Sequence, residues 1–100
     1  MRFEFLIPAA DEFKEAIDWY RQRSVRASDG FLNRVTQAVL TAIARPTSAG
    51  FLVGKRVRKI RLMPYSYGLL YFVHGEVLYI VAIAHNRRRP RYWQSRLTWS

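Results

Sequence analysis

The side chains of this sequence best suited to chemistry are Lys59, Arg61, His85 and Tyr92, with Arg87, Arg88, Arg89 and Arg91 crowded around the last two. Metal-free cleavage of RNA requires a base for the ribose 2′-hydroxyl, cations on the scissile phosphate and an acid for the leaving oxygen. Lys59 and Arg61 stand two apart in a stretch that reads as a strand, so they share a face while Arg58 points to the other. His85 falls where the last apolar run ends, and imidazole is the side chain fitted to exchange protons near neutrality. The run Arg87-Arg88-Arg89 can hold phosphates, and Tyr92 can stack on a base or donate a proton.

Each of these residues has a structural reading beside the chemical one. His85 can be a hydrogen-bonded strand end that ties down the Arg-rich tail, a reading preferred to catalysis. Tyr92 and Trp93 more often pack such a tail onto a sheet than stack on RNA. His74 falls in a turn and reads as solvated. Two histidines do not make a zinc site, which takes three or four ligands, and Glu76 is the only acid after residue 30. There is no serine triad and no phosphate-cradling glycine loop, so neither a metal nor a cofactor is expected.

The charge narrows the classes further. Seventeen Lys+Arg against seven Asp+Glu give +10 over 100 residues, and the cations are overwhelmingly Arg, whose planar fork matches phosphate and carboxylate. Residues 1–30 carry five basic and six acidic side chains, whereas residues 31–100 carry twelve basic side chains and one acid. A field this lopsided attracts polyanions and repels copies of itself, so nucleic acid, an acidic protein segment, or both are the expected partners. The absence of cysteine excludes a disulfide scaffold, a thiolate metal site and a cysteine nucleophile. No apolar run approaches the ~20 residues of a membrane helix, and the N-terminus lacks signal-peptide form. One domain over residues 1–100, cytoplasmic and away from membranes, is the expectation.

The elements that must hold these side chains follow from periodicity. Residues 2–7 alternate and then turn apolar, predicting a strand ended by Pro8. Residues 9–23 follow helical spacing, with Phe13, Ala16, Ile17 and Tyr20 on one face and Asp11, Glu12, Glu15 and Asp18 in the early turns favoured by the helix dipole. Trp19 and Tyr20 read as core or hairpin packing. Ser28-Asp29-Gly30 reads as a break and cap. A second amphipathic helix then runs from Phe31 to Pro46. Residues 46–55 form a loop, 56–63 and 66–73 two strands, His74-Gly75 a tight turn, and 76–84 a central strand buried on both faces. Residues 91–97 form a short helix or irregular edge, and Trp99 a loose end. The fold class is α+β in the order β-α-α-β-β-β: a helix hairpin packed on one face of a mostly antiparallel, twisted sheet, with a short basic C-terminal tail.

In order and spacing, the segments AIDWYRQRS (16–24), FLNRVTQAVLTAIARP (31–46), VRKIRL (57–62), YGLLYFV (67–73) and AIAHNRRRPRYWQSR (82–96) resemble the RelE/ParE family of bacterial toxin–antitoxin toxins, also called plasmid-stabilisation proteins. One departure lies at the entry to the third strand. The family usually has Phe-Pro-Tyr there, and this chain has Met63-Pro64-Tyr65 or Tyr65-Ser66-Tyr67. The resemblance implies a growth-inhibiting toxin neutralised by a cognate acidic antitoxin, with Arg58, Arg61, Arg87, Arg88, Arg89 and Arg91 as the surface for antitoxin or target. It implies two mechanisms on one scaffold: ParE-like inhibition of DNA gyrase, towards which the AIAH…RRPRYW tail leans, or RelE-like cleavage of mRNA on the ribosome, for which Lys59, Arg61, His85 and Tyr92 are the candidates. A nucleic-acid-binding module without toxicity on the same fold is a third reading.

Overall fold

The protein is described by a computed structural model covering residues 1–97; Trp99 lies outside the described residues. β1 (Arg2–Phe5) leads directly into α1 (Ile7–Arg21). The strand stops at Phe5, short of Ile7, because Pro8 occupies the first helical turn, where its missing N–H leaves no bond unmade. With the helix starting that early, Asp11 and Glu12 fall beyond its first turn, which holds no acid. The dipole therefore does not explain these acids.

α2 (Val25–Ala44) follows after three residues and packs against α1 as a hairpin. It begins at Val25 rather than after Gly30, because Ser24 is its cap: the Ser24 hydroxyl accepts the Ala27 N–H at 3.2 Å. Ser28, expected in a break, donates its hydroxyl back to the Val25 carbonyl at 2.9 Å and stays helical. Gly30 also stays helical, and a Cβ there would collide with the Tyr65 hydroxyl. Space, and not chain reversal, is why this helix carries a glycine.

Five strands form one sheet in the order β1-β5-β4-β3-β2, with β1 parallel to β5 and the other pairs antiparallel. The loop expected over residues 46–55 contains β2 (Phe51–Leu52), a two-residue edge strand on β3 (Arg58–Arg61). β4 (Tyr67–His74) and β5 (Val77–His85) make the central hairpin. Its turn is Gly75-Glu76, one residue later than expected, because His74 still pairs with Val77 and the positive φ of 63° falls on Gly75 at the first turn position. The turn between β3 and β4 contains a cis Met63–Pro64 bond, and Arg34 on α2 donates to the carbonyls of Arg61 (2.8 Å) and Met63 (3.2 Å), which lead into it.

A bulge at Val81 gives the sheet two different faces. Leu70 pairs with Ala82 and Tyr71 with Ile80, so Val81 is the extra residue and the alternation of β5 slips by one. Leu78, Ile80 and Ile83 face the helices, where they pack with Phe31, Val35 and Leu69. Val81, Ala82 and Ala84 face the opposite side with Val57, Leu70 and Phe72, beneath Trp93. That second core is roofed by the C-terminal segment, whose only regular piece among the described residues is a 3-10 turn at Gln94–Arg96. Tyr20 joins the helix-side core with Phe31, Tyr65 and Tyr67. Trp19, expected to pack in the core or hairpin, is instead 48% exposed, standing edge-on to Tyr20 and covered on one face by the Arg23 guanidinium, 3.4 Å from the ring centre. No helix among the described residues is long and apolar enough to cross a membrane.

Candidate binding cleft

The tail and the sheet enclose a cleft of about 260 Å³. Its apolar floor is Val53, Leu70, Ala84 and Trp93, and its polar rim is Lys59, His85, Arg88, Arg89 and Arg91. Alternation on β3 puts Lys59 and Arg61 on this side with Val57, and Ile60 on the helix side. The Lys59 stem lies flat over Gly68, where any Cβ would meet it. Burial, and next the charge of Arg61, push the Lys59 ammonium below its ordinary pKa. Arg61 lies beside Lys59, its guanidinium 5.2 Å from the Phe51 ring centre. A second cleft of about 360 Å³ on the other side of Trp93 adds Lys55 and Arg56 and shares Arg91. Lys55, Arg56 and Lys59 thus form one cationic surface with Arg88, Arg89 and Arg91, some thirty positions away in sequence, and the Trp93 indole is shared by its two hollows.

The remaining candidates are placed less simply. Arg58 faces the helix side, where its Nε donates to the Ala49 carbonyl at 2.7 Å and Nη2 to the Gly50 carbonyl at 3.3 Å. It braces the loop after α2, together with Tyr71, whose buried hydroxyl donates to the Pro46 carbonyl at 2.9 Å. Arg87 is exposed and does not line the cleft. The His85 Nδ1 accepts the Arg87 N–H at 3.0 Å, and its ring stands edge-on to Tyr67 with centres 5.0 Å apart. Nδ1 is thereby committed as an acceptor, leaving Nε2 as the nitrogen free for a ligand.

Tyr92 reaches across to α1. Its hydroxyl donates to Glu12 Oε2 at 2.6 Å, while the Arg88 guanidinium lies 4.1 Å from its ring centre. Burial first, and then the adjacent Glu12 carboxylate, raise the Tyr92 pKa well above the phenol range. A proton held that tightly and directed at a carboxylate is a poor acid for a leaving group. Glu12 also receives both Nη atoms of Arg96, at 2.9 and 3.0 Å, an interaction that raises the Arg96 pKa.

Glu12 and Arg96 are the participants that reading the sequence for chemistry passed over. One signal was present: Glu12 lies three residues after Ala9 and four before Ala16, both buried, so it sits on the inward stripe of α1. An inward carboxylate needs a partner. Among the described residues no group of three or more His, Asp or Glu side chains is placed to hold a metal. The arrangement as a whole offers fixed and stacked cations over an apolar floor, a surface whose chemistry is complementary to anions carrying apolar side chains.

Comparison with known proteins agrees with this architecture. No curated protein is a significant match. Among solved structures, a chain described as "Chromosomal ParDE TA system from P. aeruginosa" has a TM-score of 0.66 over 85% of this chain and 95% of its own, at 17% identity, a likeness of fold. A family model described as "ParE toxin of type II toxin-antitoxin system, parDE" matches residues 3–90. With most of its length matched, its helix hairpin on a five-stranded sheet and its order of elements, the chain belongs to the ParE toxin family of type II toxin–antitoxin systems.

Proposed function

We propose that the cationic cleft receives an acidic, partly apolar segment of a cognate antitoxin, and that the toxin arrests growth by binding and inhibiting a cellular target such as DNA gyrase. The observation that carries this reading is the make-up of the cleft, with Lys59, Arg88, Arg89 and Arg91 ringing a floor of Leu70, Ala84 and Trp93. Acidic side chains satisfy the rim while apolar ones cover the floor. A segment spanning both hollows would lie over Trp93. Such segments commonly fold on binding, and opposite charge speeds their capture.

Action by binding is favoured over RNA cleavage by the engagement of Tyr92 with Glu12, which removes one of the two groups able to supply a proton at this site. Expression of the chain alone, and together with a cognate antitoxin, tests the proposal. Arrest with induction of the DNA-damage response and intact mRNA supports it, and cleaved mRNA contradicts it. The RelE-like alternative retains one favourable observation: Lys59 and His85 line the same cleft. A His85→Ala, Tyr92→Phe double variant that still arrests growth would exclude that mechanism in the form these residues allow.

A further inference from the structure

The tail that supplies Arg88, Arg89 and Arg91 has reasons to lift away. Its cations repel one another and face Lys59 across the cleft. Arg91 holds φ at 60°, a left-handed conformation that a side chain with Cβ adopts at a cost. Beyond Asn86, Trp93 anchors the tail on the second core, while the polar side chains Tyr92 and Arg96 reach back to the body and both converge on Glu12.

The place where they converge has a definite structural role. β1 ends at Phe5, and the Leu6 N–H makes the last contact of that chain segment with β5, at the Ile80 carbonyl (3.0 Å). From Val81 onward this edge of β5 has side chains in place of a strand. Glu12 Oε1 accepts the Ile83 N–H at 3.1 Å, and Arg96 Nη1 donates to the Val81 carbonyl at 2.9 Å. With the Arg96 fork and the Tyr92 hydroxyl added, the carboxylate accepts four hydrogen bonds, its full capacity. The Tyr92 ring, fixed by its hydroxyl, is in turn the surface on which Arg88 is stacked.

We infer that Glu12 is the positioning residue of the cationic cleft: from α1 it closes the open edge of β5 and clasps Tyr92 and Arg96, and so sets the tail that presents Arg88, Arg89 and Arg91. Glu12 itself contacts no partner in this account. The claim about the tail stands on geometry alone, and its consequence for binding rests on the proposal that the cleft docks acidic segments.

Amide hydrogen exchange and peptide binding, measured on the full chain, test the two parts separately. The variants are Glu12→Ala, the milder Glu12→Gln and Tyr92→Phe, and, as a control for general loss of stability, the core substitution Val39→Ala. In Glu12→Ala, the amides of Ile83, Gln94 and Arg96 should exchange roughly tenfold faster or more, the scale of one lost charge-assisted contact. The amides of Leu69 and Ile80 should keep their protection. Glu12→Gln and Tyr92→Phe should shift the same amides less, and Val39→Ala should lower protection everywhere. Binding of a labelled poly-glutamate peptide at low salt should weaken several-fold in Glu12→Ala and remain unchanged in Val39→Ala. Unaltered tail amides in Glu12→Ala, or a parallel rise at Ile80 and Leu69, would overturn the clasp. An opened tail with undiminished peptide binding would overturn its positioning role. Failure of the unaltered protein to bind the peptide would count against the docking proposal, while the exchange data would still decide the clasp.

Discussion

Arg58 and Arg89 carry the same charge, and the structure predicts that removing them does opposite things. In Arg58→Met, the contact at 2.7 Å from Nε to the Ala49 carbonyl is lost in a partly buried setting, and the 3.3 Å contact to Gly50 is lost at the surface. A hydrogen bond from a charged donor contributes about 1.5–3 kcal/mol net. The exposed contact adds little, and Ala49 keeps the Tyr71 hydroxyl at 3.5 Å as a weak substitute. The expected loss is therefore about 2 kcal/mol. For a domain of this size each kcal/mol lowers Tm by about 4–8 °C, so Arg58→Met should melt roughly 8–16 °C lower. Its affinity for a poly-glutamate peptide should stay within about twofold of the unaltered protein, since Arg58 faces away from the cleft. Arg89→Met, an exposed rim residue, should leave Tm unchanged within about 2 °C and weaken peptide binding several-fold. Thermal denaturation and fluorescence anisotropy on the two proteins decide the matter. If Arg58→Met loses affinity as Arg89→Met does while keeping its Tm, only total charge matters and the cleft has no special standing.

Three further outcomes follow from particular contacts. Gly30→Ala, a change that stabilises most helix interiors by about 1 kcal/mol, should instead destabilise this one, because the new Cβ meets the Tyr65 hydroxyl; a raised denaturation midpoint would contradict that packing. Tyr20, Tyr67, Tyr71 and Tyr92 all hold their protons more tightly in the fold than free in solution, chiefly through burial. The unfolded chain therefore loses these protons first as pH passes about 10, so their contribution is complete below that pH and drains away above it. The lowered pKa of Lys59 acts in the opposite sense but is one group against four, so Tm should fall between about pH 9.5 and 11; a flat profile would contradict the burial. Finally, Gly68→Val should displace the Lys59 stem that lies across it and lower peptide affinity with a smaller effect on Tm; unchanged affinity would show that Lys59 takes no part in docking.

Much of the fold was legible because burial imposes periodicity. The stripe Phe31, Val35, Ala38, Val39 and Ala42 and the unbroken apolar run of β5 could have served no other elements. The misplaced boundaries have local causes. Ser24 and Ser28-Asp29-Gly30 both offer cap-forming residue types, and the hydrogen bonds decide between them: the Ser24 hydroxyl accepts the Ala27 N–H, while Ser28 bonds back into the helix at Val25. The two-residue strand Phe51–Leu52 is too short to carry a pattern. The bulge at Val81 disturbs no residue preference, yet it decides which side chains form the second core. For the site, alternation along β3 separated Arg58, which reaches the Ala49 and Gly50 carbonyls on the helix side, from Lys59, which lines the cleft. The Glu12 clasp was harder to see because its members are 80 and 84 positions apart, and acids in an early helical turn have the dipole as a ready explanation.

The most direct test of the docking account is the dissociation constant of the toxin with its antitoxin's acidic segment, measured against salt concentration for the unaltered chain and for a variant with Arg88, Arg89 and Arg91 replaced by Met. Contacts of this kind are screened within about 10 Å at 0.1 M salt. The account predicts an affinity that falls steeply as salt rises, and a weaker, clearly flatter dependence in the variant. A flat dependence for the unaltered chain, or the same slope in both, would contradict it.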